Sequence, residues 1–157
     1  MDALAERPTR ADTEVASVRL ELQAVLSAAR QARVFTEESL RLWGEDEELI
    51  EAAVLVVCEL ATNAVCHGAR PLPVGRERGR GSTITLRLML RTDALHIEVR
   101  DGSAVLPVPR AAGRDDDHGR GLMIISALAE SWTSGRDPGG GKWVRASLAR
   151  MAGALVR

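Results

Sequence analysis

The stretch from Leu49 to Gly68 constrains this chain more than any other. Leu49, Ile50, Ala53, Val54, Val57, Leu60, Ala61 and Ala64 recur at helical spacing, which predicts a helix buried in a core. Against that apolar background stand Glu59, Asn63 and His67, each four residues after the last. Steps of four stack side chains on one helix face. A carboxylate and a carboxamide on the wall of an apolar helix are costly unless something satisfies them. Two readings follow. The side chains bond each other or nearby backbone, or they form a site, with Glu59 as a base and Asn63 offering its oxygen to a hard cation.

A chain of 157 residues suffices for one domain with a real core. Phe35 and three tryptophans are its only aromatics, so Leu, Val, Ile and Ala must build that core. A net charge of −1 implies no general attraction to nucleic acid or to acidic membranes. Cys58 and Cys66 lie eight residues apart on the same predicted helix. At about 1.5 Å of rise per residue that is roughly 12 Å, too far for a disulfide. Free thiols in a reducing compartment are expected. The N-terminus lacks the apolar stretch of a signal peptide. No uninterrupted apolar run approaches the about 18 residues of a membrane span, so a cytoplasmic domain is expected.

Val18, Leu20 and Leu22 alternate with Arg19, Glu21 and Gln23, the period of a strand with one buried face. Ser27 is expected to cap a helix that runs to about Trp43 and stops at Gly44. Asp46 is expected to cap the central helix, with Glu47 and Glu48 at its positive end. A Pro-, Gly- and Arg-rich loop follows, with Arg76, Arg78 and Arg80 as a solvated cluster. Two alternating strands around Thr92-Asp93 form a hairpin that runs into Asp101-Gly102. Residues 104–118 have no periodicity and contain Pro107, Pro109 and three successive aspartates, an irregular lid. Gly119-Arg120-Gly121 then opens a helix expected over Leu122 to about Glu130. A final hairpin turns at Asp137 to Gly141, with Lys142 read as a hairpin residue.

Asp101-Gly102 alone reads as a turn. Glycines at a helix start let a ligand approach the backbone where anions are favoured. Two phosphate motifs are excluded. Ile124 stands where the dinucleotide fingerprint needs glycine, and Trp143 stands where a P-loop needs Ser or Thr.

Together these segments resemble the GHKL, or Bergerat-fold, ATPases, and most closely the anti-sigma-factor serine kinases of the RsbW and SpoIIAB type in their actinobacterial form. Glu59-x-x-x-Asn63-Ala64-x-x-His67-Gly68 is similar to that family's Asn box. Val99-Arg100-Asp101 is similar to its first glycine box, and Leu106-Pro107-x-Pro109-Arg110 to its lid. His118-Gly119-Arg120-Gly121-Leu122 is similar to its second glycine box, and Gly140-Gly141-Lys142 to its closing hairpin. Two positions depart from the pattern. Ser103 and Val105 replace the later glycines of the first box, which implies a stiffer lid hinge. Trp143 replaces a threonine that helps hold a water beside the adenine.

The resemblance implies an α+β fold, a two-layer α/β sandwich with helices on one face of a mostly antiparallel mixed sheet. It implies an ATP-binding domain over residues 15–149, flanked by tails over 1–14 and 150–157. ATP and Mg²⁺ are the implied cofactors. Asn63 holds the ion, Asp101 accepts from the adenine amino group, Gly119, Arg120 and Gly121 cradle the phosphates, and Gly102, Arg110 and Leu122 are further ATP-binding residues. His67 either approaches the phosphates or caps the helix end. Glu59 polarises the attacking hydroxyl, of water or of serine. The implied activity is that of a serine/threonine protein kinase phosphorylating an anti-anti-sigma partner of the STAS type. The implied partners are that protein, a sigma factor and a second copy of the chain, with neither nucleic acid nor membrane.

Overall fold

The computed structural model describes residues 13–68, 83–102, 117–138 and 140–150. In chain order these form β1 (Glu14–Gln23), α1 (Ala28–Leu42), α2 (Glu47–Gly68), β2 (Thr83–Arg91), β3 (Ala94–Asp101), α3 (Asp117–Leu128), β4 (Ser131–Arg136) and β5 (Lys142–Ala149). One five-stranded sheet has the order β1-β2-β3-β5-β4. All four ladders are antiparallel. The architecture is the α+β class expected, without a parallel pair among the described strands.

Alternation decides which side chains face the helices. Ile84, Leu86, Leu88 and Leu90 of β2, Leu95, Ile97 and Val99 of β3, and Val144, Ala146 and Leu148 of β5 form one buried surface. Onto it pack Ile50, Ala53, Val56, Val57, Leu60, Ala61 and Ala64 of α2. α2 contacts β2, β3 and β5, and lies between α1 and α3. The segment Glu47–Cys66 is long and apolar enough to cross a membrane, at a mean hydropathy of 1.9. This corrects the expectation that no segment reaches that length. A window average tolerates the polar residues that interrupt an apolar run, and here the apolar positions serve the core.

Of four helix ends read from local chemistry, two form as expected. Asp46 Oδ1 accepts from the Leu49 backbone N–H at 2.8 Å, the expected cap of α2. Gly44 stands at φ 75°, and α1 closes on a paired motif. Glu45 N–H donates to the Leu40 carbonyl and Gly44 N–H to that of Arg41, each at 3.0 Å. Ser27 does not cap α1. The chain already turns at Val25, whose carbonyl takes the Ala28 N–H at 2.9 Å. Ser27 is therefore helical itself, and its hydroxyl accepts from Gln31 Nε2 at 3.2 Å. α3 starts at Asp117, earlier than the expected Leu122, so Gly119-Arg120-Gly121 lies inside the helix. A glycine costs a helix only about 1 kcal/mol, so it need not mark a boundary.

The open face of the sheet carries a row of Arg19, Arg87, Glu98, Arg145 and Thr133 across all five strands. Glu98 is only 1% exposed there, because Arg100 and Arg145 close over it. Arg100 Nε donates to it at 2.8 Å and Arg145 Nε at 3.0 Å. Arg145 also lies 5.5 Å from the Trp143 ring centroid, in cation–π range. Gly135 sits opposite Trp143, where an added Cβ would come within 2.6 Å of the indole.

Arg150 lies outside the domain boundary expected from the sequence, yet it is built into the fold. Its guanidinium donates to Glu45 Oε1 at 2.6 Å and to the Arg91 carbonyl at 2.7 Å. Both side chains of that ion pair are almost fully buried. Its backbone N–H donates to the Asp93 carbonyl at 2.9 Å. One residue thus joins the α1–α2 turn to the β2–β3 turn.

Candidate functional site

β3 ends at Asp101, which continues the inward-facing set of Leu95, Ile97 and Val99. A carboxylate therefore takes the last place in an apolar row. Directly across the ladder is Lys142, the first residue of β5. Its ammonium stands 3.7 Å from Asp101 Oδ2, with side chains 6% and 3% exposed. Ammonium and carboxylate at that depth stabilise one another, since either alone would be a buried, uncompensated charge.

The turn that delivers Lys142 is set by glycine. Asp137 N–H donates to the Gly141 carbonyl at 2.9 Å and Gly140 N–H to the Asp137 carbonyl at 3.0 Å. Gly141 has φ 92°, and a Cβ there would lie 2.2 Å from the Asp101 carbonyl oxygen. Only glycine allows this approach. The Asp137 carboxylate also accepts from Arg100 Nη1 at 2.8 Å, tying the turn to β3. Gly102, immediately beyond, is exposed.

Trp143 lies on the opposite face from Asp101, paired in register with Arg100. The residue that faces the helices beside Asp101 is Lys142. The sequence reading makes it a hairpin residue without assigning it a face. The inward phase of Val144, Ala146 and Leu148, carried one step back, was the signal that assigns it.

Glu59 and Asn63 stand one turn apart on α2, both half-buried. Among the described residues neither has a side-chain hydrogen-bond partner. The plainer sequence reading has them bonding each other or nearby backbone, and among the described residues they do neither. Burial pushes the neighbouring Cys58 thiol up, the Arg33 charge opposes this, and the Glu59 and Glu37 carboxylates add to the rise. Cys58 is thus kept as a thiol beside the Glu59 anion, and Cys66 is exposed further along α2.

For the remaining expected site residues, the backbone alone is placed. His67 is in the last turn of α2, and Gly119, Arg120, Gly121 and Leu122 are in the first half of α3. α2 and α3 pack together. Arg110, most of the lid, and the cluster of Arg76, Arg78 and Arg80 lie outside the described residues.

The donor set suits a magnesium nucleotide. Asp101 offers a buried acceptor for an exocyclic amino group. Asn63 offers a neutral oxygen, and Mg²⁺ characteristically takes few protein ligands beside phosphate and water. A groove of about 390 Å³ between Leu20 of β1 and Arg30, Val34, Phe35 and Glu38 of α1 is on the β1 side of the fold and includes none of these residues.

Comparison with known proteins identifies the family. The model of the histidine kinase-like ATPase domain matches residues 13–148. No curated protein matches the chain. A similar solved structure is the crystal structure of the RsbU and RsbW domains of Rv1364c from Mycobacterium tuberculosis. The TM-score is 0.60 at 23% identity, over 87% of this chain and 33% of that one, so the likeness is one of fold. The chain spans about a third of that protein's length. With the family pattern covering β1 through β5, the chain belongs to the histidine kinase-like ATPase domain family.

Proposed function

We propose that this protein binds Mg²⁺-ATP and acts as an anti-sigma-factor-type regulator, a serine/threonine kinase that phosphorylates an anti-anti-sigma partner in a partner-switching system. The observation that carries this reading is a carboxylate, Asp101, buried at the end of β3, together with Glu59 and Asn63 half-buried on α2, neither of which has a side-chain hydrogen bond among the described residues. Family membership makes ATP the ligand such a set serves, and the RsbW domain of the similar structure suggests the biological setting.

Bound ATP would supply the phosphoryl group. Asn63 would hold the ion through its side-chain oxygen, and Asp101 would accept from the adenine amino group. Guanine carries a carbonyl there and would leave the buried carboxylate facing a lone pair. Glu59 would take the proton of a partner's serine hydroxyl. Gly119, Arg120 and Gly121 would meet the phosphates together with Arg110. His67 and Leu122 would complete the ATP-binding set.

The proposal includes a homodimer, which β1 supports. It is a strand of ten residues at the edge of the sheet, paired among the described residues with β2 alone, and exposed edges invite pairing. Antiparallel pairing of β1 with its copy about Leu20 would set Arg19 against Glu21 of the second copy. Val18 would then meet Leu22, so the strand is complementary to itself.

The test is incubation of the protein with Mg²⁺ and γ-labelled ATP beside the anti-anti-sigma proteins of its own genome. Label on a partner serine is expected. Tight ATP binding without transfer to any of them would favour a second reading, in which the domain uses ATP as a structural ligand and regulates by binding alone.

A further inference from the structure

Lys142 is unexpected where it stands. The inward positions of β5 are otherwise apolar, and the site already has its acceptor in Asp101. The register places the ammonium and the carboxylate side by side, both facing the helical layer. A donor next to an acceptor is the complement of a ligand edge that shows an acceptor next to a donor. Adenine has that edge: its N6 amino group donates, and the ring nitrogens flanking it, N1 and N7, accept.

We infer that Lys142 is a second base-reading group, donating to a ring nitrogen beside the amino group that Asp101 accepts. This rests on the proposed nucleotide site and deepens it. Three features make the pair a reader and not a neutralised remnant. Both side chains are nearly buried, so bonds to a ligand there are little weakened by water. Both are fixed by backbone. Asp101 is held against the Gly141 turn, and Lys142 is the next residue of that turn's strand. The third feature is Trp143, which the sequence places where a threonine would hold a water for the base. It faces away, so that contact needs another donor, and Lys142 faces inward.

The pair also sharpens selectivity. Guanine shows carbonyl O6 where Asp101 needs a donor. On the Watson–Crick edge it also shows N1–H where Lys142 needs an acceptor. On that edge, two fixed groups of opposite demand reject guanine and hypoxanthine more firmly than a carboxylate alone, which can turn or take up a proton; on the N7 edge, where guanine also accepts, Asp101 alone discriminates.

Isothermal titration of the intact chain in Mg²⁺ tests this with four nucleotides: ATP, GTP, and ATP analogues in which carbon replaces N1 or N7. Wild type should bind one of the two carbon analogues about tenfold or more weakly than ATP, and that analogue identifies the edge read. Lys142→Met should lose a similar factor on ATP and no longer tell ATP from that analogue, and, where N1 is the nitrogen read, show a smaller ATP-to-GTP ratio. Should Lys142→Met fold poorly, the analogue comparison on wild type decides by itself. Equal affinity of wild type for ATP and both analogues would overturn the role of Lys142 while leaving the nucleotide site standing. So would discrimination that survives Lys142→Met. Failure of wild type to bind any adenine nucleotide would overturn the site and this role together.

Discussion

Asn63 and Glu59 share a helix face, and their substitutions should fail in different ways. Asn63→Ala removes the one neutral oxygen proposed for the ion. ATP affinity should then lose its Mg²⁺ dependence, read by titration with and without the metal. A half-buried residue without a partner contributes little to folding, so circular dichroism should show the helix content retained, and thermal stability should change by no more than about 1 kcal/mol. Glu59→Gln keeps shape and loses basicity. ATP affinity should hold or rise slightly, since a carboxylate near a triphosphate repels it, while transfer to a partner serine should fall about 10²–10⁴-fold. Transfer at the wild-type rate would make Glu59 structural. Glu98 gives a different readout, in pH. Burial pushes its carboxyl up, but hydrogen bonds and charge from Arg100 and Arg145 together hold it below the ordinary range. A depressed folded pKa contributes stability above the unfolded value of about 4.5, and loses it as pH falls through the folded value. Thermal melts of wild type should therefore decline below about pH 4.5. Glu98→Gln should be less stable by roughly 1–2 kcal/mol at pH 7, a figure kept low because both arginines are half exposed. That gap should close in acid.

Among the elements, β1 carries the sharpest test of assembly. Arg19→Glu would set two carboxylates against each other at both symmetry-related positions of the proposed dimer. At roughly 1 kcal/mol per cross-strand pair, the dimer should weaken about tenfold or more in sedimentation equilibrium. The double exchange Arg19→Glu with Glu21→Arg should restore it. Strands were the most legible elements, because period two leaves a mark within five residues: Val18-Leu20-Leu22 and Leu95-Ile97-Val99 place β1 and β3 unaided. Asp46 was legible too, since a cap acts three residues away. What lay beyond reach is what cross-strand register creates. Glu98 reads as an outward residue, and its burial needs Arg145, 47 residues on, beside the nearby Arg100. The pairing of Asp101 with Lys142 is of the same kind, as neither residue is near the other in the chain. For the site itself, the Asn63 and Asp101 motifs were visible as a resemblance, whereas the second base-facing residue was not. That resemblance led attention to Trp143, one position away and on the wrong face.

Across the molecule, the β3–β5 ladder is fastened at both ends. At one end Asp101 meets Lys142, and at the other the Arg150 backbone closes on Asp93 while its side chain grips Glu45. Glu45 is 105 residues from Arg150, so no local pattern announces the clamp. Removing one member of a buried ion pair strands the other. Arg150→Ala, or truncation after Ala149, should cost about 3–5 kcal/mol in urea unfolding. Glu45→Gln with Arg150→Met together should cost less than either single change, because neither charge is then left behind.

The two glycines at φ 98° and 92° before β5 have a further consequence, one of parity. A strand has only odd and even places, and the turn from Asp137 to Gly141 decides which of them look inward. One residue added to that turn would exchange every side chain of β5 between the faces. Trp143 would enter the helical layer beside Asp101, and Lys142 would join the arginines outside. The length of this turn is therefore as much a determinant of what the site can read as any side chain within it.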